Sequence, residues 1–137
     1  MLQRILLLAV VLGFLASGIA LADDEHPLAK QVKEKLKDPT KPFTIGVKLK
    51  VKEGMGSSLE SAFAPAIKTS RKEKGCLTYD LNKSAEDETV YIVYERWANL
   101  AALDAHLKRP NIEKLLSTVH EYLEGAPDLK VFVPVAE

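Results

Sequence analysis

Most of the side chains able to do chemistry lie in one stretch, YERWANLAALDAHLKRPN, which runs from Tyr94 to Asn111 and holds Glu95, Arg96, Trp97 and His106. An imidazole titrates close to working pH, so His106 is the natural candidate for a general base. On a helix it follows Leu103 by three residues, at the edge of an apolar stripe, and can point into a cleft between helix and sheet. The plainer reading is a histidine packed at that edge. Glu95 and Trp97 are two residues apart on a strand and share a face. Glu95 is the second catalytic candidate, orienting His106, unless it only pairs with a lysine at the rim. Trp97, the sole tryptophan, can stack on an aromatic ligand or anchor the core. Tyr79 and Tyr94 carry hydroxyls that can hold an anionic oxygen, though tyrosine is also an ordinary sheet residue. Asn111 either touches ligand or caps the helical segment after Pro110. Arg96 points away from Trp97, towards an interface more readily than the cleft. A base, an aromatic surface and O–H donors together point to proton abstraction from a small molecule. No metal or flavin motif accompanies them. The acidic run Asp23-Asp24-Glu25-His26 has no second histidine nearby and reads as a solvated tail.

The elements that must position these groups follow from periodicity. Phe43, Ile45, Val47, Leu49 and Val51 alternate with Thr44, Gly46, Lys48 and Lys50, which predicts a half-buried strand. Glu53 to Gly56 is a turn. Ser57 with Glu60 is a capping-box signature. Leu59, Phe63 and Ile67, with Ala62 and Ala66, then form the stripe of a helix to about Lys74, kinked by Pro65 and stopped by Gly75. Cys76 to Leu81 is a second strand, with Leu77, Tyr79 and Leu81 on one face. After a polar loop, Val90 to Trp97 is a third, apolar on both faces near its start and so central. Asn99 caps a second helix whose stripe is Leu100, Leu103 and Leu107. Past Pro110 the stripe continues through Ile112, Leu115, Leu116, Val119 and Leu123, to a stop at Gly125 and Pro127. Leu129 to Val135 is the last strand. This β-α-β-β-α-β order is the ferredoxin-like unit, an α+β fold with an antiparallel sheet. Helices cover one face of such a sheet, and a second copy of the same sheet can cover the other. A homodimer through the sheet face is therefore expected.

The two ends of the chain read differently. Met1 to Arg4 is a short positive region, Ile5 to Leu15 is almost wholly apolar, and Ala20-Leu21-Ala22 offers a cleavage site. Residues 1–22 are thus expected to be a signal peptide and the protein to be exported, periplasmic or secreted. A retained membrane anchor is the rival reading, since Ile5 to Ala22 approaches the roughly twenty residues of a span. Residues 23–42 are charged and carry three prolines; Leu28, Val32 and Leu36 recur every four residues, so this arm can hold a short amphipathic helix. Residues 43–137 form one domain. Lys and Arg number 19 against 19 Asp and Glu. A near-neutral chain without a basic stripe gives no reason to expect nucleic acid or an anionic membrane as partner. Cys76 is the only cysteine, so no internal disulfide forms and packing must supply stability.

The motifs Gly75-Cys76-Leu77-Thr78-Tyr79, Glu95-Arg96-Trp97 and Leu103-Asp104-Ala105-His106-Leu107, with Pro110 following, occur in order on matching elements. In this the chain resembles the antibiotic biosynthesis monooxygenase family over roughly Phe43 to Val135. The resemblance implies a dimeric α+β barrel. It also implies, as in quinol monooxygenases of the group, oxidation of a hydroquinone-like or phenolic aromatic by dioxygen without a cofactor. The chain departs from the family at Asn111, where many members carry a second histidine. Haem degradation is disfavoured: Val47 stands about where relatives of that kind have an asparagine, and the later helix offers only His120. Two other readings stay open on the same fold: a non-catalytic module binding a small apolar molecule, and an isomerase that moves protons without oxygen.

Overall fold

Strict alternation makes Phe43–Lys50 a strand, β1, and its length sets the frame. It pairs antiparallel along its whole length with β3 (Val90–Trp97), Phe43 opposite Trp97 and Lys50 opposite Val90. On its other side lies β4 (Asp128–Phe132), and β2 (Cys76–Lys83) pairs with the far edge of β3. The order is β2-β3-β1-β4, so β3 is central, as its apolar start predicts. The computed structural model describes residues 24–136; the expected signal segment and its cleavage site lie outside them. Among the described residues no helix is long and apolar enough to cross a membrane.

Three helices pack on the face that carries Ile45, Leu49, Tyr91, Val93 and Trp97, all buried. They are α2 (Gly56–Ser70), α3 (Leu100–Leu107) and α4 (Pro110–Thr118), the last running into a 3-10 turn at Val119–Tyr122. Leu59, Phe63, Leu103, Leu107, Ile112 and Leu115 supply the helical half of the core. Asn99 caps α3 as expected, its side-chain oxygen accepting from Ala102 N–H at 2.9 Å.

Local details differ from the expectations, each for a physical reason. The second helix is two: Pro110 occupies the first turn of α4, where its missing N–H costs nothing. The capping box does not form. Helix α2 starts at Gly56 after Met55, and Glu60 instead accepts a hydrogen bond from Tyr91 at 2.6 Å and pairs with Lys83 at 2.6 Å. Pro65 lies inside α2 without ending it, and the helix closes at Ser70 rather than Lys74. A bulge between Cys76 and Thr78 turns Leu77 outward, 51% exposed, instead of placing it with Tyr79 and Leu81. The last strand stops at Phe132.

The arm forms α1 (Pro27–Lys33), which packs against α3 with Ala29 and Val32 wholly buried. A seven-residue helix has no stability of its own; burial of Val32, worth roughly 2 kcal/mol, holds it. So do two tethers: His26 N–H donates to Asp104 at 2.7 Å, and Leu100 N–H to Pro39 C=O at 2.9 Å. The His26 ring accepts from Leu28 N–H at 3.1 Å. This segment is therefore part of the core, and His26 is a helix cap rather than a solvated tail residue.

Gly75 makes the turn into β2 with φ 86°, and a methyl group there would lie 2.6 Å from the Ala102 side chain. Gly75→Ala is expected to lower stability by about 2 kcal/mol or more, through both the left-handed backbone and the clash with α3. Chemical denaturation reads it directly.

Candidate active site

Between the helices and the sheet lies a cavity of about 270 Å³. Its wall is almost entirely aliphatic: Ile45, Val47 and Leu49 from β1, Val93 from β3, Leu103 and Leu107 from α3, Ile112 and Leu115 from α4. Few polar or titratable side chains interrupt it, namely Gln31, Tyr79, Glu95 and His106. Period-two pleating puts Tyr79 and Glu95 side by side, since they face each other across β2 and β3. His106 enters from α3, 1% exposed.

Glu95 is the unusual group. Trp97 Nε1–H donates to its Oε2 at 2.9 Å, and no other side chain of the described residues is hydrogen-bonded to it. Burial pushes the carboxyl up to about 7; the Trp97 hydrogen bond works in the opposite direction and the Glu73 carboxylate adds to the rise. His106 goes the other way. Burial lowers its pKa against the opposing pull of Glu73, so the ring is neutral at pH 7. Its Nδ1 lies 3.1 and 3.2 Å from the two Glu73 oxygens, which fixes the proton on Nδ1 and leaves Nε2 as the basic nitrogen. Arg109 holds Glu73 in turn, Nε to Oε1 at 3.2 Å. The His106 ring sits 4.6 Å from that of Trp97 and 5.3 Å from that of Tyr79. Burial, then Glu95 and Glu73, push the Tyr79 hydroxyl well above the ordinary phenol range, so it stays a donor.

The expected site residues therefore divide. His106, Glu95 and Tyr79 line one cavity. Trp97 does not: it is fully buried behind Glu95, so it positions a carboxylate rather than stacking on a ligand. Tyr94 alternates with Glu95 and lies on the outer sheet face, 41% exposed. Asn111 is exposed and donates to Thr69 Oγ1 at 3.1 Å, tying α4 to α2; Arg109, not Asn111, precedes the first turn of α4. The partner that orients His106 is Glu73, not Glu95. Glu73 went unseen because it sits in a charged run, yet Leu59, Phe63, Ala66, Ser70 and Glu73 continue one 4-3-4-3 stripe. Among the described residues no cluster of three or more His, Cys, Asp or Glu can hold a metal. Cys76 is free, its thiol pushed up to about 11 by burial and the nearby carboxylates, which leaves it unreactive.

A ferredoxin-like domain with a carboxylate in an apolar cavity under its helices is the class these observations define. The chain belongs to the antibiotic biosynthesis monooxygenase family, whose profile matches residues 42–116. It is similar to an uncharacterised Synechocystis sp. protein, sll1783, 28% identical over 122 residues, which span 89% of this chain and 76% of that one. It is also similar to Rv0793 of Mycobacterium tuberculosis, named as a proposed monooxygenase, 28% identical over 98 residues, 72% of this chain and 96% of that one. The Rv0793 structure superposes with a TM-score of 0.65 at 27% identity over 70% of this chain and 97% of its own. A Caulobacter crescentus structure described as a proposed antibiotic biosynthesis monooxygenase gives 0.66 at 27%, over 72% and 94%.

Replacing Trp97 by phenylalanine removes the one side-chain donor to Glu95 among the described residues. The carboxyl midpoint is expected to rise further above 7, read from the Glu95 carboxyl signal in a 13C NMR titration; a midpoint unchanged or lowered would show that the indole does not hold the charge.

Proposed function

We propose that the protein is a cofactor-independent monooxygenase that oxidises a hydroquinone-like or phenolic aromatic with dioxygen. The observation that carries this reading is Glu95: a carboxyl at about 7 facing an apolar cavity of about 270 Å³. An apolar cavity of about 150 Å³ already takes benzene, so a one- or two-ring phenol fits. A group near working pH is the best proton acceptor. Glu95 is thus a stronger base than His106, whose pKa burial lowers.

The chemistry needs little beyond this. Glu95 takes the phenolic proton. The anion, held by the Tyr79 hydroxyl and kept from bulk water, gives one electron to dioxygen. The radical pair joins to form a carbon–oxygen bond. The peroxide then breaks its oxygen–oxygen bond: one oxygen stays on the ring as a carbonyl and the other leaves as water. The substrate supplies every electron, so phenol plus dioxygen gives quinone plus water.

A homodimer belongs to the same reading. Ile92, Tyr94 and Phe132 are 42%, 41% and 56% exposed on the uncovered sheet face, where Gly46 leaves a flat spot between Ile92 and Phe132. Such a patch favours a second sheet. Phe132→Lys is expected to shift the protein towards monomer in light scattering; a wild-type monomer would remove the proposal.

Dioxygen uptake on a panel of hydroquinones and polycyclic phenols, corrected with heat-denatured protein, tests the reaction. Glu95→Gln is expected to lose about 100-fold or more. In the native protein kcat/KM rises with pH to a plateau above about 7, because only the ionised carboxyl accepts a proton. Stability runs the other way. The raised carboxyl favours the fold fully below its ordinary 4.5, and that contribution is lost as pH rises through about 7. Glu95→Gln therefore melts higher than native at pH 8 and alike at pH 4. Turnover unaffected by this substitution would discard Glu95; turnover of a substrate without oxygen uptake would leave proton transfer alone, the isomerase reading.

A further inference from the structure

The arm does more than pack on the domain: it supplies part of the cavity wall. Leu28 and Gln31, three residues apart on α1, both line it. The lining grades in exposure. His106, Leu103, Ile45, Ile112 and Tyr79 are between 1% and 3% exposed and form its floor. Gln31, Leu116 and Pro127 line the same cavity yet are exposed. Residues that border both cavity and solvent mark its mouth, so α1, α4 and the loop before β4 frame the entrance. The Gln31 amide makes no hydrogen bond to any described residue. It is the polar group at an otherwise apolar rim, well separated in exposure from Tyr79 and His106, with Glu95 intermediate between them.

The α1 side of the rim also lies outside the family match. The family match begins at residue 42, past the arm. The Synechocystis relative matches over 89% of the chain, which leaves too few residues outside the match to omit the arm. The α1 side of the rim is thus an addition to the domain, while α4 belongs to the family's common frame.

We propose that Leu28 and Gln31 are specificity-determining residues that select aromatics carrying a hydrogen-bonding oxygen on the ring end remote from the reacting hydroxyl. The inference rests on the floor of the cavity receiving the ionisable hydroxyl, as in the proposed function. A ring entering with that hydroxyl towards Glu95 and His106 leaves its far end at the rim. A bare ring end there meets Leu28 and solvent, whereas a hydroxyl or carbonyl meets an unengaged amide. One hydrogen bond of this kind is worth about 1 kcal/mol, near a fivefold change in affinity. Leu28 sets the width of the opening beside it.

Binding separates this from turnover. Two probes are titrated under nitrogen into the full-length protein, 1-naphthol and 1,5-dihydroxynaphthalene, following the fluorescence of Trp97, which contacts the cavity residues Glu95 and His106. The diol is expected to bind the native protein about fivefold or more tighter. Gln31→Leu, at an exposed position that leaves folding alone, should erase that preference and leave 1-naphthol within about twofold. Leu28→Phe, which narrows the opening, should weaken both naphthols while sparing phenol. A native protein that does not prefer the diol, or a preference that survives Gln31→Leu, would overturn the rim. Aerobic uptake is measured on the same proteins. Diol preference lost in Gln31→Leu without any uptake would sink the oxidation reading and keep the rim; uptake with no effect of Gln31→Leu would do the reverse; no binding of either naphthol would sink both.

Discussion

A carboxylate held in an apolar cavity by one indole N–H is the constraint on which the rest of this structure turns. Water would normally stabilise that charge, and burial removes it. What replaces it is a single hydrogen bond from Trp97 at 2.9 Å. One donor is enough to keep Glu95 ionisable and too little to return it to the ordinary carboxylate range, so it comes to rest at about 7. A second donor would have made it a spectator ion; none would have left it a neutral acid. The large side chain that does this has to be immobile, and Trp97 is immobile because the core closes over it.

The neighbouring pair is arranged in the opposite sense. Glu73 and His106 are both buried, but Arg109 reaches Glu73 from a half-exposed position and so keeps that carboxylate paired. Its charge fixes the His106 tautomer and also acts on Glu95, which it raises. Two carboxylates in one low-dielectric region thus have different partners: Glu73 has the arginine and the imidazole, while Glu95 has one indole N–H and is pushed towards neutrality. Burial with a single donor and a nearby carboxylate is what raises Glu95.

Much of the fold was legible because its strands alternate cleanly and its helices carry one stripe each. The shared face of Glu95 and Trp97 followed from the same pleat. That pleat also turns Tyr94 outward, since it directly precedes Glu95 and must point the other way. Asn111 was misplaced for a different reason: the helix restarts at Pro110, and the phase of one helix says nothing about the next. Glu73 was hidden by composition, since charge usually marks a solvated face, although its spacing put it on the buried stripe. The bulge at Leu77 has no signature in the local sequence. It arises where β2 enters beside Trp97, and only the pairing shows it.

The role of the arm was the least legible feature, because prolines and lysines describe a linker equally well. Its apolar stripe of Leu28 and Val32 finds a surface only after α3 exists, so the helix is a consequence of the domain and not a cause of it. That dependence also explains why the arm can define an entrance. The floor of the cavity is built from strands and long helices whose positions are set by pairing and the main core. One side of the rim is built from a short helix held by a few tethers, His26 to Asp104 and Leu100 to Pro39 among them. Changes to α1 can therefore alter what the cavity admits without disturbing the groups that do its chemistry, which separates selection from reaction within 137 residues.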